Sequence, residues 1–205
     1  MPQKLVIATR NPGKIVELRR ILNELSDGAV ELIGTGEFPD LLDVEETGTT
    51  FAENALLKAR YTAKVTGLPA IADDSGLCVE ALGGNPGLLS ARWAGVHGND
   101  EVNVTKVLNE LTEVADAKRG AYFICVTALV MPDGREALAE GFFQGRILRA
   151  PVGENGFGYD PIFSPLGMSI SSAQMSAEEK DAISHRGKSL RAIAPHVMEM
   201  LAGLR

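Results

Sequence analysis

Three stretches of the chain concentrate residues able to do chemistry. The first is Thr9-Arg10-Asn11-Pro12-Gly13-Lys14. A loop that opens a helix leaves backbone N–H groups aimed at an anion, and Arg10 and Lys14 add positive charge there. Thr9 and Asn11 can donate to phosphate oxygens, and Gly13 lets a phosphate approach the backbone. The Walker pattern GxxxxGK[ST] is absent, and the same turn serves equally well as punctuation between a strand and a helix. The second is a pair of acidic clusters, Asp43/Glu45/Glu46 and Asp73/Asp74. Mg²⁺ takes one or two carboxylates and completes its shell with substrate phosphates, so two such loops suffice for a site. Asp43 reads as a solvated loop acid. Asp74 ends an apolar run, PAIA, where paired aspartates are costly without partners, and that points to function. Ser75 has no histidine near it in sequence and reads as a hydrogen-bond donor to a ligand. The third stretch is Gly156-Phe157-Gly158-Tyr159-Asp160, with Lys180 and Ser184-His185-Arg186. Phe157 and Tyr159 between glycines offer a flat stacking surface, Asp160 can accept from ring N–H groups, and His185 and Arg186 can donate to a carbonyl. Standing alone, this segment would read as a glycine-rich turn with buried aromatics.

The elements that must position these residues follow from periodicity and caps. Residues 4–9 read as a buried strand, and 14–25 as a helix with Ile15, Leu18, Ile21, Leu22 and Leu25 on one face. Residues 29–33 form a second strand. Thr50-Phe51-Ala52-Glu53 is a capping box that starts a helix running to Gly67. Residues 70–72 read as a short strand delivering Asp73-Asp74-Ser75-Gly76 at its end. The breakers of 82–87 make a loop, 99–111 a helix, and 121–131 and 136–148 a hairpin through Pro132-Asp133-Gly134. Ser176-Ala177-Glu178-Glu179 caps a further helix. The last helix carries Leu190, Ile193, Val197 and Leu201 on one face, with Pro195 inside it. The expected fold is α/β with a mixed sheet, in two lobes.

Bulk properties bound the rest. The chain has 205 residues, 45% hydrophobic and 23% charged, which suits a single globular domain spanning 1–205. Its net charge of −7, with no run of Lys or Arg, argues against nucleic acid as a partner. Cys78 and Cys125 stand far apart and read as reduced thiols, and the three histidines form no metal pair. The apolar run at the start is too short for a signal peptide or membrane span, so a cytoplasmic location is expected.

Five segments taken in order, TRNPGK, EETGTTFAENALLKA, PAIADDSGLCVEALGGNPGLLSARWAG, GENGFGYDPIF and EEKDAISHRG, closely resemble the inosine triphosphate pyrophosphatase family. The likeness runs from Thr9 to Arg186. It implies a two-lobed α/β fold with a long central mixed sheet flanked by helices, an active cleft between the lobes, and a homodimer. It implies Mg²⁺-dependent hydrolysis of non-standard purine nucleoside triphosphates (ITP, dITP, XTP) to the monophosphate and pyrophosphate. By the same resemblance Thr9, Arg10, Asn11, Pro12, Gly13 and Lys14 bind the triphosphate, and Arg92 approaches the phosphates. Glu45, with Glu46 as the alternative, and Asp74 hold the metal, and Asp74 is also the general base. Ser75, Phe157, Gly158, Tyr159, Asp160, Lys180, His185 and Arg186 bind the nucleotide. In that scheme Arg186, which can only donate, reads the 6-oxo oxygen that distinguishes inosine from adenine. Two rivals stay open on sequence alone: a septum-inhibitor-type nucleotide pyrophosphatase, and a nucleotide sensor without turnover.

Overall fold

The computed structural model describes residues 2–203. Eleven regular elements follow one another: β1 (Gln3–Ile7), α1 (Pro12–Ser26), β2 (Val30–Gly34), α2 (Phe51–Thr66), β3 (Ala70–Val79), α3 (Asp100–Glu110), β4 (Gly120–Val130), β5 (Glu136–Ile147), β6 (Phe163–Pro165), α4 (Ala177–Ile183) and α5 (His185–Ala202). The strands form one sheet in the order β2-β1-β3-β4-β5-β6. β1 pairs in parallel with β2 and β3, whereas β5 and β6 are antiparallel, so the sheet is mixed as expected.

Two compact units divide the chain. The first comprises residues 2–74, 125–141 and 186–203; the second comprises 75–124 and 142–185. Side chains of a strand point alternately to its two faces, and in the first unit that parity is strict. Leu5, Ile7, Ile71, Leu129 and Met131 pack with Leu18, Ile21 and Leu22 of α1 and with Leu190, Ile193 and Val197 of α5. Their neighbours Val6, Ala8, Ala70, Ala72, Ala128 and Val130 pack instead with Ala55, Ala59 and Ala63 of α2. In the second unit Val104 and Val107 of α3 and Leu111 just after it pack on Leu77, Val79, Ala121, Phe123 and Phe143, joined by Tyr159, Ile162 and Phe163.

Local signals account for where the helices start and stop. Pro12 occupies the first turn of α1, and the Asn11 side chain accepts from the Lys14 N–H at 3.1 Å. The Thr50 hydroxyl accepts from Glu53 N–H at 3.1 Å to cap α2, but the Glu53 carboxylate turns back to Thr49, whose N–H lies 2.6 Å away. Gly67 ends α2 in the left-handed region, and the Ser176–Glu179 capping box at α4 is complete in both directions.

One expectation is corrected. β3 does not end at Ala72; it runs through Asp73, Asp74 and Ser75 to Val79. Acids seldom occupy a buried strand. Here each finds cations or donors, and the apolar run Leu77-Cys78-Val79 resumes beyond them.

Candidate functional site

Alternation along β3 sends Asp73 and Asp74 to opposite faces, and each meets a different helix. Asp73, with no exposed surface, lies on the α1/α5 side. Its Oδ2 is 3.1 Å from Lys14 Nζ and accepts from Arg186 at 3.0 Å (Nη2) and 3.3 Å (Nε). Arg186 in turn donates through Nη1 to Glu17. Glu17, Arg186, Asp73 and Lys14 thus form a buried chain of alternating charge. Burial opposes ionisation of Asp73, but Lys14, Arg186 and Lys58 outweigh it and hold its carboxyl well below the usual carboxylate range.

Asp74 lies on the α2 side. Its Oδ2 accepts from Asn54 Nδ2 at 3.1 Å, and its Oδ1 is 3.6 Å from Lys58 Nζ. Lys58 also reaches Glu46, 2.6 Å away. Asn54 is fixed at its other end, where Oδ1 accepts from Gly48 N–H at 2.8 Å. A Cβ at Gly48 would fall 2.6 Å from that oxygen, so the loop needs glycine there. Burial pushes the Asp74 carboxyl up; Lys58 and Lys14 pull it back, the Glu46 charge adds to the rise, and the net direction is upward from its ordinary value. A buried carboxyl raised from its ordinary value, with a lysine and an amide beside it, is placed to exchange a proton.

In the loop between β1 and α1 and the turn that follows, Lys14 faces inward to Asp73, while Thr9 Oγ1 accepts from Asn11 N–H at 3.3 Å. Pro12 and Gly13 form the first turn of α1. Arg10 points elsewhere: its Nε lies 3.0 Å from Asp43, and its Nη2 donates to Leu41 O at 2.5 Å. Asp43 is largely exposed, as its reading as a solvated acid requires.

Glu45 and Arg186 depart from expectation. Exposure alternates along 44–48, so Glu45 faces solvent and its neighbour Glu46 turns in to Lys58 beside Asp74. Glu46 is therefore the better-placed ligand of the pair. Arg186 is 1% exposed and its guanidinium is engaged by Glu17 and Asp73, a charge-balancing task rather than an open donor edge for a base.

The second unit gathers the aromatic–glycine segment. Asp160 Oδ2 accepts from Phe157 N–H at 3.0 Å and from Lys180, whose ammonium lies 5.2 Å from the centre of the Phe157 ring. Gly158 N–H donates to Asp100 at 2.7 Å. Phe157 is half-buried. Tyr159 is not: it sits in the core and donates from its hydroxyl to Ser90 O at 2.8 Å. His185 is likewise buried, stacked on Phe123 at 4.8 Å and 12°. Ser75 is half-buried on β3, next to Asp74.

Residues 5–196 match the sequence profile of the Ham1 family. The chain belongs to the Ham1 family. A curated relative from Streptomyces avermitilis, named dITP/XTP pyrophosphatase, is 54% identical over 200 residues, covering 97% of this chain and 98% of its own. A solved HAM1 protein from Coxiella burnetii is 42% identical with a TM-score of 0.84, covering 96% of this chain and 99% of that one. The crystal structure of a Mycobacterium abscessus nucleoside-triphosphatase / dITP/XTP pyrophosphatase is 49% identical with a TM-score of 0.76, covering 94% and 100%. Sequence reasoning did not single out Glu17, Asn54 or Lys58 in this Ham1-family chain. Spacing carried a signal for each. Glu17 follows Lys14 by three residues and Lys58 follows Asn54 by four, so both pairs share a helix face with core residues.

Proposed function

We propose that this chain hydrolyses non-standard purine nucleoside triphosphates, dITP, ITP and XTP, to the monophosphate and pyrophosphate, its two units working as one domain. The observation that carries the reading is Asp74: a buried carboxyl tuned upward beside Lys58, Asn54 and Glu46, in a chain half identical to a dITP/XTP pyrophosphatase over nearly its whole length.

Asp74 takes the proton from a water whose oxygen bonds to phosphorus as the α–β phosphoanhydride breaks. Lys14 and the first turn of α1 hold the departing pyrophosphate, and Asp73 orients Lys14. Phe157 offers its ring to the purine, with Lys180 beside it as a donor to ring oxygens. Thr9, Asn11, Pro12, Gly13, Ser75 and Gly158 line the nucleotide through backbone or hydroxyl contacts.

Mg²⁺ is the cofactor this reading requires, and the donors fit it. Glu46 and Asp74 already converge on one cation, the Lys58 ammonium. Among the described residues no group of three metal-ligating side chains occurs, and Mg²⁺ needs no more than two carboxylates when phosphate and water complete its shell. When bound it supplies neutralisation of charge on the triphosphate oxygens. Two buried free cysteines fit a reducing cytoplasm, and no described helix is long and apolar enough to cross a membrane. A homodimer follows from the resemblance.

The deciding experiment is pyrophosphate release from a panel of triphosphates, with and without Mg²⁺. Fast release from ITP, dITP and XTP and slow release from ATP is expected; equal rates on all would overturn the substrate class. Lys14→Ala should weaken triphosphate binding far more than monophosphate binding, by about tenfold or more, because the lost contact is charged and reaches only the leaving group. Equal loss for both ligands, measured by competitive inhibition, would move Lys14 off the pyrophosphate.

A further inference from the structure

Two residues of α2, one helical turn apart, reach across to Asp74 with different chemistry. Lys58 is an ammonium shared by two carboxylates, Glu46 and Asp74. Asn54 is a neutral amide with both ends in use: Nδ2 donates to Asp74 Oδ2 at 3.1 Å, and Oδ1 accepts from Gly48 N–H at 2.8 Å. Gly48 stands two residues after Glu46, so this amide ties the loop that carries Glu46 to the strand that carries Asp74. Its orientation is fixed by its partners. A backbone N–H only donates, so the amide oxygen must face Gly48 and the NH₂ must face the carboxylate. A carboxylate at this position could meet Gly48 but would repel Asp74, and an aliphatic side chain could meet neither. Asn54 is 2% exposed, and a buried amide is costly unless it is hydrogen-bonded. The loop matches it: a Cβ at Gly48 would fall 2.6 Å from Asn54 Oδ1 and 2.7 Å from Glu53 Cβ.

We infer that Asn54 is a positioning residue for the metal, holding loop 44–50 against β3 so that Glu46 and Asp74 meet one divalent cation together. Asn54 touches neither metal nor substrate; it acts through Gly48 and Asp74. The inference rests on the Mg²⁺ reading given above. Lys58 cannot do this alone, because a divalent cation drawn to the same two carboxylates competes with the ammonium for them. The neutral amide does not compete, and it keeps the loop in place whichever cation is held. Groups that orient metal ligands from behind are typically worth about 10- to 100-fold in affinity.

The test uses Mn²⁺ as the probe, titrated into the wild-type chain, Glu46→Gln, Asn54→Leu and Gly48→Ala. The free ion is followed by electron paramagnetic resonance, and a melting curve is taken for each chain. Glu46→Gln marks the ion that belongs to this site. Asn54→Leu keeps the side chain's shape and bonds at neither end, and it should weaken Glu46-dependent Mn²⁺ binding by about tenfold or more in a chain still folded at the assay temperature. Gly48→Ala disturbs the same joint from the loop side and should act in the same direction; if Asn54→Leu does not fold, it carries the comparison. A lowered melting temperature with unchanged Mn²⁺ affinity in either folded variant overturns the inference and makes Asn54 a stability residue. Mn²⁺ binding that ignores Glu46→Gln, or no binding to the wild-type chain, overturns it as well. The readout needs no turnover, so a chain that behaves as expected with Mn²⁺ but releases no pyrophosphate from ITP sinks the functional reading and leaves this one standing.

Discussion

Asp74→Asn is expected to lower turnover by at least about 10²-fold while KM changes little. The substitution keeps the shape of the side chain, and Asn54, which donates to Oδ2, still has an oxygen to meet. What disappears is the ability to take a proton, together with one of the two negative charges that Lys58 bridges. Fold should survive, because relieving a buried carboxylate of its charge removes a desolvation cost even as it loosens Lys58. Steady-state kinetics on dITP beside a melting curve separate the two effects. Near-normal turnover in a folded variant would remove Asp74 from the mechanism.

The second large effect is on stability. Arg186→Ala should destabilise the chain by about 3–5 kcal/mol, since it takes a buried charged partner from both Glu17 and Asp73. Both carboxylates are almost fully buried, and water cannot take over from the guanidinium. Urea denaturation measures the loss; a change within about 0.5 kcal/mol, the range of ordinary surface substitutions, would contradict the charge chain. The preference for ITP over ATP should stay nearly constant, the opposite of what a base-reading arginine would give. The same network sets a pH dependence. Asp73 has its folded-state pKa depressed, so its contribution is fully present above the unfolded value near about 4 and is lost as pH falls from there. Wild-type stability should therefore decline steadily below that point, and Asp73→Asn should flatten the decline.

How much of this was legible in the sequence depends on the length of the pattern. α1, α2, α3 and the β4–β5 hairpin were readable because periodicity, caps and turn residues agree over ten or more positions. β3 was cut short because two aspartates look like the end of an apolar run; only the cations arriving from α1, α2 and α5 permit the strand to continue. The catalytic candidate was readable for a related reason, since a carboxylate pair ending PAIA demands partners. The identity of those partners was hidden. Glu17, Asn54 and Lys58 look like ordinary helix-surface residues until the strand that each faces is known. Arg186 misled by type: an arginine beside histidine after a short helix suits a ligand donor, and nothing local reveals the two acids, 113 and 169 residues away in sequence, that claim it. Glu45 against Glu46 was a question of parity in an irregular loop, where no repeat exists to settle it.

Parity also governs the central strand, and it makes the chain sensitive to a kind of change that substitution cannot mimic. Asp73 and Asp74 are chemically identical and adjacent, yet one is a neutralised strut and the other the proposed proton acceptor, solely because one index is odd and the other even. Inserting one residue between Pro69 and Ala70 would turn each acid to the opposite face of the sheet. It would also turn Ile71 toward the small alanines of α2, and Ala70 and Ala72 toward the bulky leucines and isoleucines of α1 and α5. The two errors arrive together, so a frame slip in this strand cannot yield an enzyme with its acids merely swapped; it yields one that does not pack. Inheritance can therefore vary the letters of this segment far more readily than its count, and related chains should align through it without gaps.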